Sequence, residues 1–461
     1  MTVTQARKTY SLWSSPVTAP THLTRKLLIT LFIAGLVVNA MVVLVVLPRS
    51  ASTLDYGLQL GDLYDFIGNN LALGHGYRVD VNMGETMMRE PGYPLLMAAV
   101  FKITGYGVVG PRIACIALAF AAALILRLLA LEITGNGVVS VIAALMFLLY
   151  PANLVAEARA GVEMLCVSTV LLFMLALYRA LQSGSIWQYG MGGLLLGVAS
   201  LVRSEVILFP SLVLLYLLFT SSDWRERGKA LLRMSVLGIA ALTVMSPWII
   251  RNYLLVHQFV PTTTLSGVAA QEGLYTCKHL PEDEEFFSSQ RGAGHERSEI
   301  AKQLGFRFDG TYYYQFFYIP QDELAFNRVL LSSVSKEYRS SPALLADCAA
   351  KNLFFKFWFL GKTPRATYLN IFVQSPLLLL AFGGVIVLYK RKHLQKAAMV
   401  LLYIAYVPLV HAAIIAHARH SMFVVPFLAV LAAIFLVWAW DALRTQHGPR
   451  KVREVQGSWT T

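Results

Sequence analysis

Charge is scarce in this chain. Only 14% of its 461 residues are Asp, Glu, Lys or Arg, while 56% are hydrophobic. A soluble domain of this size cannot cover so much apolar surface, which excludes a soluble fold and leaves a polytopic membrane protein. Acidic residues are scarcer than basic ones, 26 against 39. The resulting +13 is not a nucleic-acid footprint, because the basic residues gather in short clusters between apolar runs, as the positive-inside rule requires. Cysteine is rare as well, with four in all. Cys115 and Cys166 sit in apolar runs and read as small hydrophobes, whereas Cys277 and Cys348 share one long polar segment where an oxidising compartment permits a disulfide. Repeats of 20–50 residues and low-complexity tracts are absent. So are the paired halves and mid-membrane polar breaks of a secondary transporter. A transporter or lipid flippase of a cell-envelope glycolipid pathway is therefore only the alternative reading.

Long apolar runs are what the chain has instead. A span needs about 20 mostly apolar residues. About ten such runs lie near 27–48, 110–132, 137–156, 160–181, 186–202, 204–220, 232–250, 367–389, 397–416 and 420–440, those at 186–220 being short. Four basic clusters punctuate them: Arg7, Lys8, Arg25 and Lys26; Arg225, Arg227, Lys229 and Arg233; Lys390, Arg391, Lys392 and Lys396; and Arg444, Arg450, Lys451 and Arg453. Ten spans put all four on one side, the cytoplasm, with both termini there. The first run is too long for a signal-peptide core and lacks a small-residue cleavage site, so no cleaved signal is expected. The expected fold class is an all-α polytopic membrane protein, with interfacial helices in the first outer loop and a small, mainly helical outer-face region. Its divisions are a cytoplasmic tail 1–26, a transmembrane core 27–250 with outer loop 49–109, an outer-face region 251–366, C-terminal helices 367–440 and a second tail 441–461.

The outer loop is the most informative stretch. Asp62-Leu-Tyr64-Asp65 opens a segment in which Leu63, Phe66, Ile67 and Leu71 form an apolar stripe and Asp62, Asp65 and Asn69 the opposite face. Gly74-His75-Gly76 ends it. Residues 93–103 are apolar but only half a span long, so they lie in the interface or pack on the bundle. In the later region, Ser288 to Gly310 reads as solvated loop, and helices are expected to start at Pro320 and Pro342. The run Glu282-Asp-Glu-Glu285 reads as solvated surface.

Charged residues in or beside spans are costly and tend to be functional. Here they share a depth. Arg159 and Glu163, Arg203 and Glu205, Arg251, and His417, Arg419 and His420 all fall at the outer ends of spans, as do Asp62 and Arg89. Arg127, Glu132 and Arg179 lie at the opposite ends and read as anchors. Arginines beside carboxylates in a partly dry cleft suit a phosphate-bearing ligand, because the guanidinium fork binds phosphate bidentately. Glu163 is expected to pair with Arg159 or Arg203. His75 reads as a turn residue. His417 and His420 have no third ligand at a metal-like spacing.

These stretches resemble the GT-C integral-membrane glycosyltransferases, in the branch of dolichyl-phosphate-mannose–protein mannosyltransferases and bacterial transferases that use polyprenyl-phosphate sugars. The resemblance runs through Asp62-Leu-Tyr64, Gly74-His-Gly-Tyr77 and Arg89-Glu-Pro-Gly-Tyr-Pro94, then Tyr150-Pro151 with Glu163, Leu201-Val-Arg203-Ser-Glu205, Pro247-Trp-Ile-Ile-Arg251-Asn-Tyr253 and Arg419 through Pro426. It implies an inverting hexosyl- or pentosyltransferase of the inner (plasma) membrane, working on the periplasmic or exterior face. Its partners would be a polyprenyl-phosphate-linked sugar donor, a lipid, glycan or protein acceptor and membrane lipids, with no nucleic acid. Asp62 resembles the family's loop-one aspartate, the base or cation ligand. Because Asp62 stands two residues before Tyr64 where the family commonly has three, Asp55 and Asp65 stay open for that role. The implied substrate-binding residues are Tyr64, Asp65, Arg89, Glu163, Arg203, Arg251 and Arg419. No cofactor is required, and a divalent cation at Asp62 stays open.

Overall fold

The computed structural model describes residues 22–46, 63–279, 286–310, 315–361 and 363–447. Asp55, Asp62, the acidic run at 282–285 and the tail residues Arg7, Lys8, Arg450, Lys451 and Arg453 lie outside the described residues.

Each predicted apolar run is helical over most of its described residues. Helix α1 (His22–Met41) continues as a π-turn to Val46. Two short helices follow in the loop, α2 (Tyr64–Leu73) and α3 (Gly92–Thr104). The bundle resumes with α4 (Val109–Thr134), α5 (Gly137–Leu148), α6 (Pro151–Ala158), α7 (Glu163–Ser183), α8 (Ile186–Val202), α9 (Phe209–Thr220) and α10 (Trp224–Val256). The cap region then forms α11 (Ser266–His279), α12 (Phe286–Gln303), an antiparallel pair β1 (Phe308–Gly310) and β2 (Gln315–Phe317), α13 (Pro320–Ser340) and α14 (Pro342–Lys351). Helices α15 (Pro364–Lys390), α16 (Ala398–Ala412) and α17 (Val425–His447) close the bundle.

Among the described residues, six helices are long and apolar enough to cross a membrane: α4, α7, α10, α15, α16 with its leading turn, and α17. The pair α5 and α6, bent by 50°, makes a seventh if it is counted as one span. The bend has a cause. Pro151 cannot donate to the helical ladder, so the helix stops and restarts there. The carbonyls it frees are met by side chains, Asn153 Nδ2 to Phe147 (2.7 Å) and Asn39 Nδ2 to Leu148 (3.0 Å). The runs at 29–45, 186–202 and 204–220 are shorter apolar helices. Helix α8 approaches α10 backbone to backbone through Gly193 and Gly197, where a Cβ would strike Leu237 and Ala241 carbonyls. At the end of the bundle opposite the loop, Arg179 pairs with Glu132 at 3.0 Å, as anchors do.

The loop helices correct one expectation. In α2 the buried face carries Tyr64, Asp65, Ile67, Gly68 and Asn70, and Phe66 is 41% exposed. The expected division into two opposite faces is not kept, because Asp65 and Ile67 are both buried. Helix α2 packs against α3, and on its buried side Asp65 finds the Tyr106 hydroxyl as a donor. Gly74 caps α2 in the left-handed conformation (φ 82°), as its sequence position predicts.

The cap region corrects a second. Most of Ser288 to Gly310 is helix α12 and strand β1, not loop. Its helix-forming signal is weak because the segment is polar on most faces; tertiary contacts hold it. Arg297 is fully buried and donates to Gln271 Oε1 at 2.8 Å. Phe306, Phe317 and Phe326 pack ring to ring beneath it. Pro320 and Pro342 sit in the first turns of α13 and α14, as predicted. Cys277 and Cys348 form a disulfide that ties α11 to α14 across 71 residues. Replacing both by alanine is expected to cost the cap about 4 kcal/mol through the loop entropy regained on unfolding. The fall in the urea midpoint of cap unfolding measures it, and wild-type protein with reductant should show the same fall.

The cap is joined to the first loop by a buried carboxylate. Glu323 of α13 accepts from the Thr86 hydroxyl (2.6 Å), the Met87 amide (2.9 Å) and the Thr264 hydroxyl. Met87, Val256, Val260 and Leu324 pack around it. Burial pushes the Glu323 carboxyl above the usual glutamate range, and the three donors only partly offset this. A carboxyl with a raised folded value contributes stability that is complete at low pH and is lost as pH rises through that value. The cap is therefore expected to hold the loop most tightly in mild acid and to loosen as the pH rises above the ordinary glutamate range. Proteolysis within 78–90, followed against pH, should show this trend in the wild type and a flat profile in Glu323→Gln.

Candidate functional site

The loop, the cap and four interhelical turns meet at one end of the bundle. The site is assembled there from elements far apart in sequence, and it has two adjoining clusters.

The first cluster is built on the loop. The chain enters α2 through Leu63, whose φ of 74° is left-handed, so the backbone turns sharply just after position 62. Tyr64 is 1% exposed and meets the Tyr93 ring edge-on at 5.3 Å. The Arg89 guanidinium lies over the Tyr64 ring, 5.1 Å from its centre. Asp65 is buried and accepts from the Tyr106 hydroxyl at 3.3 Å. The Tyr77 hydroxyl donates to the carbonyls of Arg89 (2.9 Å) and Glu90 (3.1 Å), fixing the Arg89-Glu-Pro turn. Glu90 reaches across to the α8–α9 turn, where Ser204 gives it both its amide (3.2 Å) and its hydroxyl (2.8 Å).

Arg251 belongs to this cluster as a clamp. It donates to the Thr86 carbonyl (2.8 Å), to Asn252 Oδ1 (3.0 Å) and to Glu85 Oε2 (3.1 Å). It also stacks over Trp248 (4.7 Å) and Tyr77 (5.1 Å). With its fork spent on the loop, it ties loop to α10. His75, at the end of α2, contacts Asn70 Oδ1 at 3.4 Å and serves the turn, as predicted.

The second cluster lies beside the first. Arg203 follows the last residue of α8 and pairs with Glu205 at 3.5 Å. Its guanidinium lies 5.1 Å over the Phe423 ring, and it interacts electrostatically with Tyr64 and Glu90 as well. Glu163 opens α7, only 4% exposed, and pairs with Arg419 at 3.2 Å. The sequence points to Arg159 or Arg203 as its partner, so this is a correction. Nearness along the chain favours those two, but α7 is packed against the 418–423 turn, which brings Arg419 to its first residue. Glu205 also faces His411 Nε2 at 3.4 Å. The Tyr406 hydroxyl donates to the Glu205 carbonyl, and the Tyr150 hydroxyl to Gln374.

The structure thus brings Tyr64, Asp65, Arg89, Glu163, Arg203, Arg251 and Arg419 to one end of the bundle, while Asp62 lies outside the described residues. Glu90, Ser204, His411 and Glu323 are site residues that the sequence does not announce. For Glu90 the one available signal is its place next to Arg89 in the loop motif. His411 is embedded in an apolar run and gives none.

Among the described residues, the only group of three His, Cys, Asp or Glu close enough to share an ion is Cys277, Asp347 and Cys348, and both its cysteines are in the disulfide. At the site, Asp65, Glu90, Glu163 and Glu205 each point at their own donor instead of a common centre. Among the described residues there is no cation site at this end of the bundle, and Asp62 lies outside them.

Comparison with known proteins adds three findings. The model of the dolichyl-phosphate-mannose-protein mannosyltransferase family matches residues 89–250. No curated protein matches the chain by sequence. Among solved structures, the oligosaccharyltransferase AglB of Archaeoglobus fulgidus, in complex with an inhibitory peptide and a dolichol-phosphate, superposes with a TM-score of 0.55 at 13% identity, over 95% of this chain and 53% of that one. The A. fulgidus oligosaccharyltransferase tethered to an acceptor peptide gives 0.55 at 14% identity, over 92% and 50%. The chain therefore spans about half the length of these neighbours, and at this identity they share its fold. ArnT from Cupriavidus metallidurans, bound to undecaprenyl phosphate, aligns over 91% of this chain at a TM-score of 0.39. The resemblance of the sequence to integral-membrane glycosyltransferases thus has two supports, a family model over the middle of the chain and a shared fold.

Proposed function

We propose that this chain is a GT-C type glycosyltransferase that moves a sugar from a polyprenyl-phosphate donor to an acceptor at the outer face of the membrane, with inversion. The observation that carries the reading is the pairing of buried Glu163 with Arg419 and of part-buried Glu205 with Arg203 at one end of the bundle, beside loop residues Tyr64, Arg89 and Glu90. A bundle core would not keep such charges dry without a use for them. That the family model covers 89–250 and that a fold neighbour holds a dolichol-phosphate supports the donor class.

The donor phosphate is held by Arg203 and Arg419, whose carboxylate partners fix each guanidinium in place before the ligand arrives. Arg89, stacked on Tyr64, adds positive charge from the loop side. The bond from the anomeric carbon to the phosphate oxygen breaks with its electron pair left on the phosphate, and the arginines stabilise that charge. The acceptor attacks the opposite face of the sugar, which inverts the centre. Asp62, beside the turn at Leu63, takes the acceptor's proton. The lipid tail leaves between spans into the bilayer. The region 251–366, clamped by Arg251 and Glu323, covers the acceptor side. Both termini are cytoplasmic by the distribution of basic clusters, and the protein resides in the inner (plasma) membrane.

The test uses purified protein in lipid nanodiscs with an extract of polyprenyl-phosphate sugars. Wild type is expected to release polyprenyl monophosphate when acceptor extract is added, with Arg203→Ala slower by about 100-fold, the usual loss for one transition-state donor. Equal release by both proteins would remove the arginines from the donor site.

A further inference from the structure

Three histidines that the transfer chemistry above does not use are stacked in the second cluster. The His411 and His420 rings lie 4.1 Å apart and 13° from parallel. His417 stacks on the other face of His420 at 4.1 Å and 29°. His411 and His420 are buried, at 6% and 5% exposure. Stacked rings aim their nitrogens sideways, not at a common centre, and among the described residues these three do not form a metal group.

The hydrogen bonds set how many protons the stack holds. His411 Nδ1 lies 3.0 Å from the Ile415 carbonyl, so that nitrogen is the donor. Its Nε2 lies 3.4 Å from Glu205 Oε2 and makes no hydrogen bond, so the carboxylate is placed to receive a proton-bearing Nε2. His420 Nδ1 is buried with no hydrogen-bond partner. Two imidazolium rings stacked face to face repel strongly, so neighbouring rings cannot both carry a charge. Burial, then the two flanking histidines and Arg203 and Arg419, hold His420 well below the usual histidine range. The charged groups facing the stack are Arg203 and Glu205 from the α8–α9 turn, Glu163 from α7 and Arg419 from its own turn. Glu157 and Arg159 at the end of α6, and Lys356, before Phe357 that packs on His411, also lie on neighbouring elements.

We propose that the three imidazoles are a proton reservoir for the donor phosphate: His411 and His420 together take up one proton when the bound phosphate changes from diester to monoester. This rests on the phosphate site proposed above. The donor diester carries one negative charge. Once the sugar has left with the acceptor, the lipid phosphate is a monoester with a second ionisation near pH 6, so it is mostly a dianion at neutral pH. The acceptor's proton goes to the loop carboxylate. A separate proton from water protonates the stack, forming imidazolium beside the dianion, and returns to water when the product leaves. No other bond changes. In the empty site two guanidinium groups oppose a charge on the stack; the bound dianion reverses that balance.

Calorimetric titration of the full-length protein with farnesyl monophosphate, in buffers of different ionisation enthalpy at pH 8, counts the protons taken up on binding. Wild type is expected to take up about half to one proton, since at this pH the ligand phosphate is mostly a dianion. Uptake should fall at least threefold with farnesyl methyl phosphate, which stays a monoanion, and in His411→Gln and His420→Gln. Wild type that binds farnesyl monophosphate without proton uptake overturns the proposal by itself, whether or not the variants fold. Uptake that survives in both variants also overturns it. Failure of wild type to bind farnesyl monophosphate instead removes the phosphate site, and this inference with it.

Discussion

Arg419→Ala is expected to lower sugar transfer by about 10²–10³-fold, the range seen when one charge-stabilising donor is lost from a transition state. The cause is twofold. The phosphate loses a guanidinium, and Glu163, almost fully buried at the start of α7, loses its partner at 3.2 Å. A buried carboxylate without a partner costs about 3–5 kcal/mol where its pair has been broken. The variant should therefore lose thermal stability as well as rate. Two further variants separate these effects. Arg419→Lys keeps the ion pair but not the planar fork, so it should recover most of the stability and little of the rate. The double variant Arg419→Ala with Glu163→Gln should recover stability and stay inactive. Initial rates from a fixed donor extract, with melting temperatures of the same preparations, check all three. Full activity in the double variant would make the pair purely structural.

Asp62→Asn is expected to be the other severe change, lowering the rate by about a thousandfold, as for removal of a positioned general base. The neighbouring carboxylate gives the contrast. Asp65 is buried in α2 and accepts from Tyr106 at 3.3 Å, facing protein and not acceptor. Asp65→Asn keeps the shape and an acceptor oxygen for that hydroxyl, so it should cost less than about tenfold and act mainly through stability. Rates for the two variants, each normalised to folded protein, decide between the aspartates. The reverse order, with Asp65→Asn inactive and Asp62→Asn near wild type, would move the base to Asp65.

Much of the fold is legible in the sequence because the membrane imposes length and composition on each span. The ten apolar runs, the prolines that start α13 and α14, and Gly74 at the end of α2 follow from local rules. The gathering of Arg203, Glu205, Glu163 and Arg419 at one end follows from their places at the ends of apolar runs. What does not show is anything decided by packing between distant segments. Glu163 pairs with Arg419 because α7 meets the last interhelical turn, and no spacing in the sequence encodes that contact. Asp65 faces inward because Tyr106, 41 residues further on, supplies a donor for it there. Helix α12 has the composition of a loop because its stability comes from buried Arg297 and the phenylalanine cluster below it. Glu323 resembles an ordinary first-turn acid of α13 in sequence, and only its contacts with Thr86 and Met87 show it to be the joint between cap and loop.

The most direct measurement is mass spectrometry of lipid-linked sugars in cells that lack the chain, complemented with wild type or with Arg419→Ala. It works whatever the sugar is. The account predicts that one polyprenyl-phosphate monosaccharide accumulates without the wild-type protein, that Arg419→Ala fails to clear it, and that one acceptor loses the matching sugar mass. A lipid-linked pool identical in all three strains would contradict it.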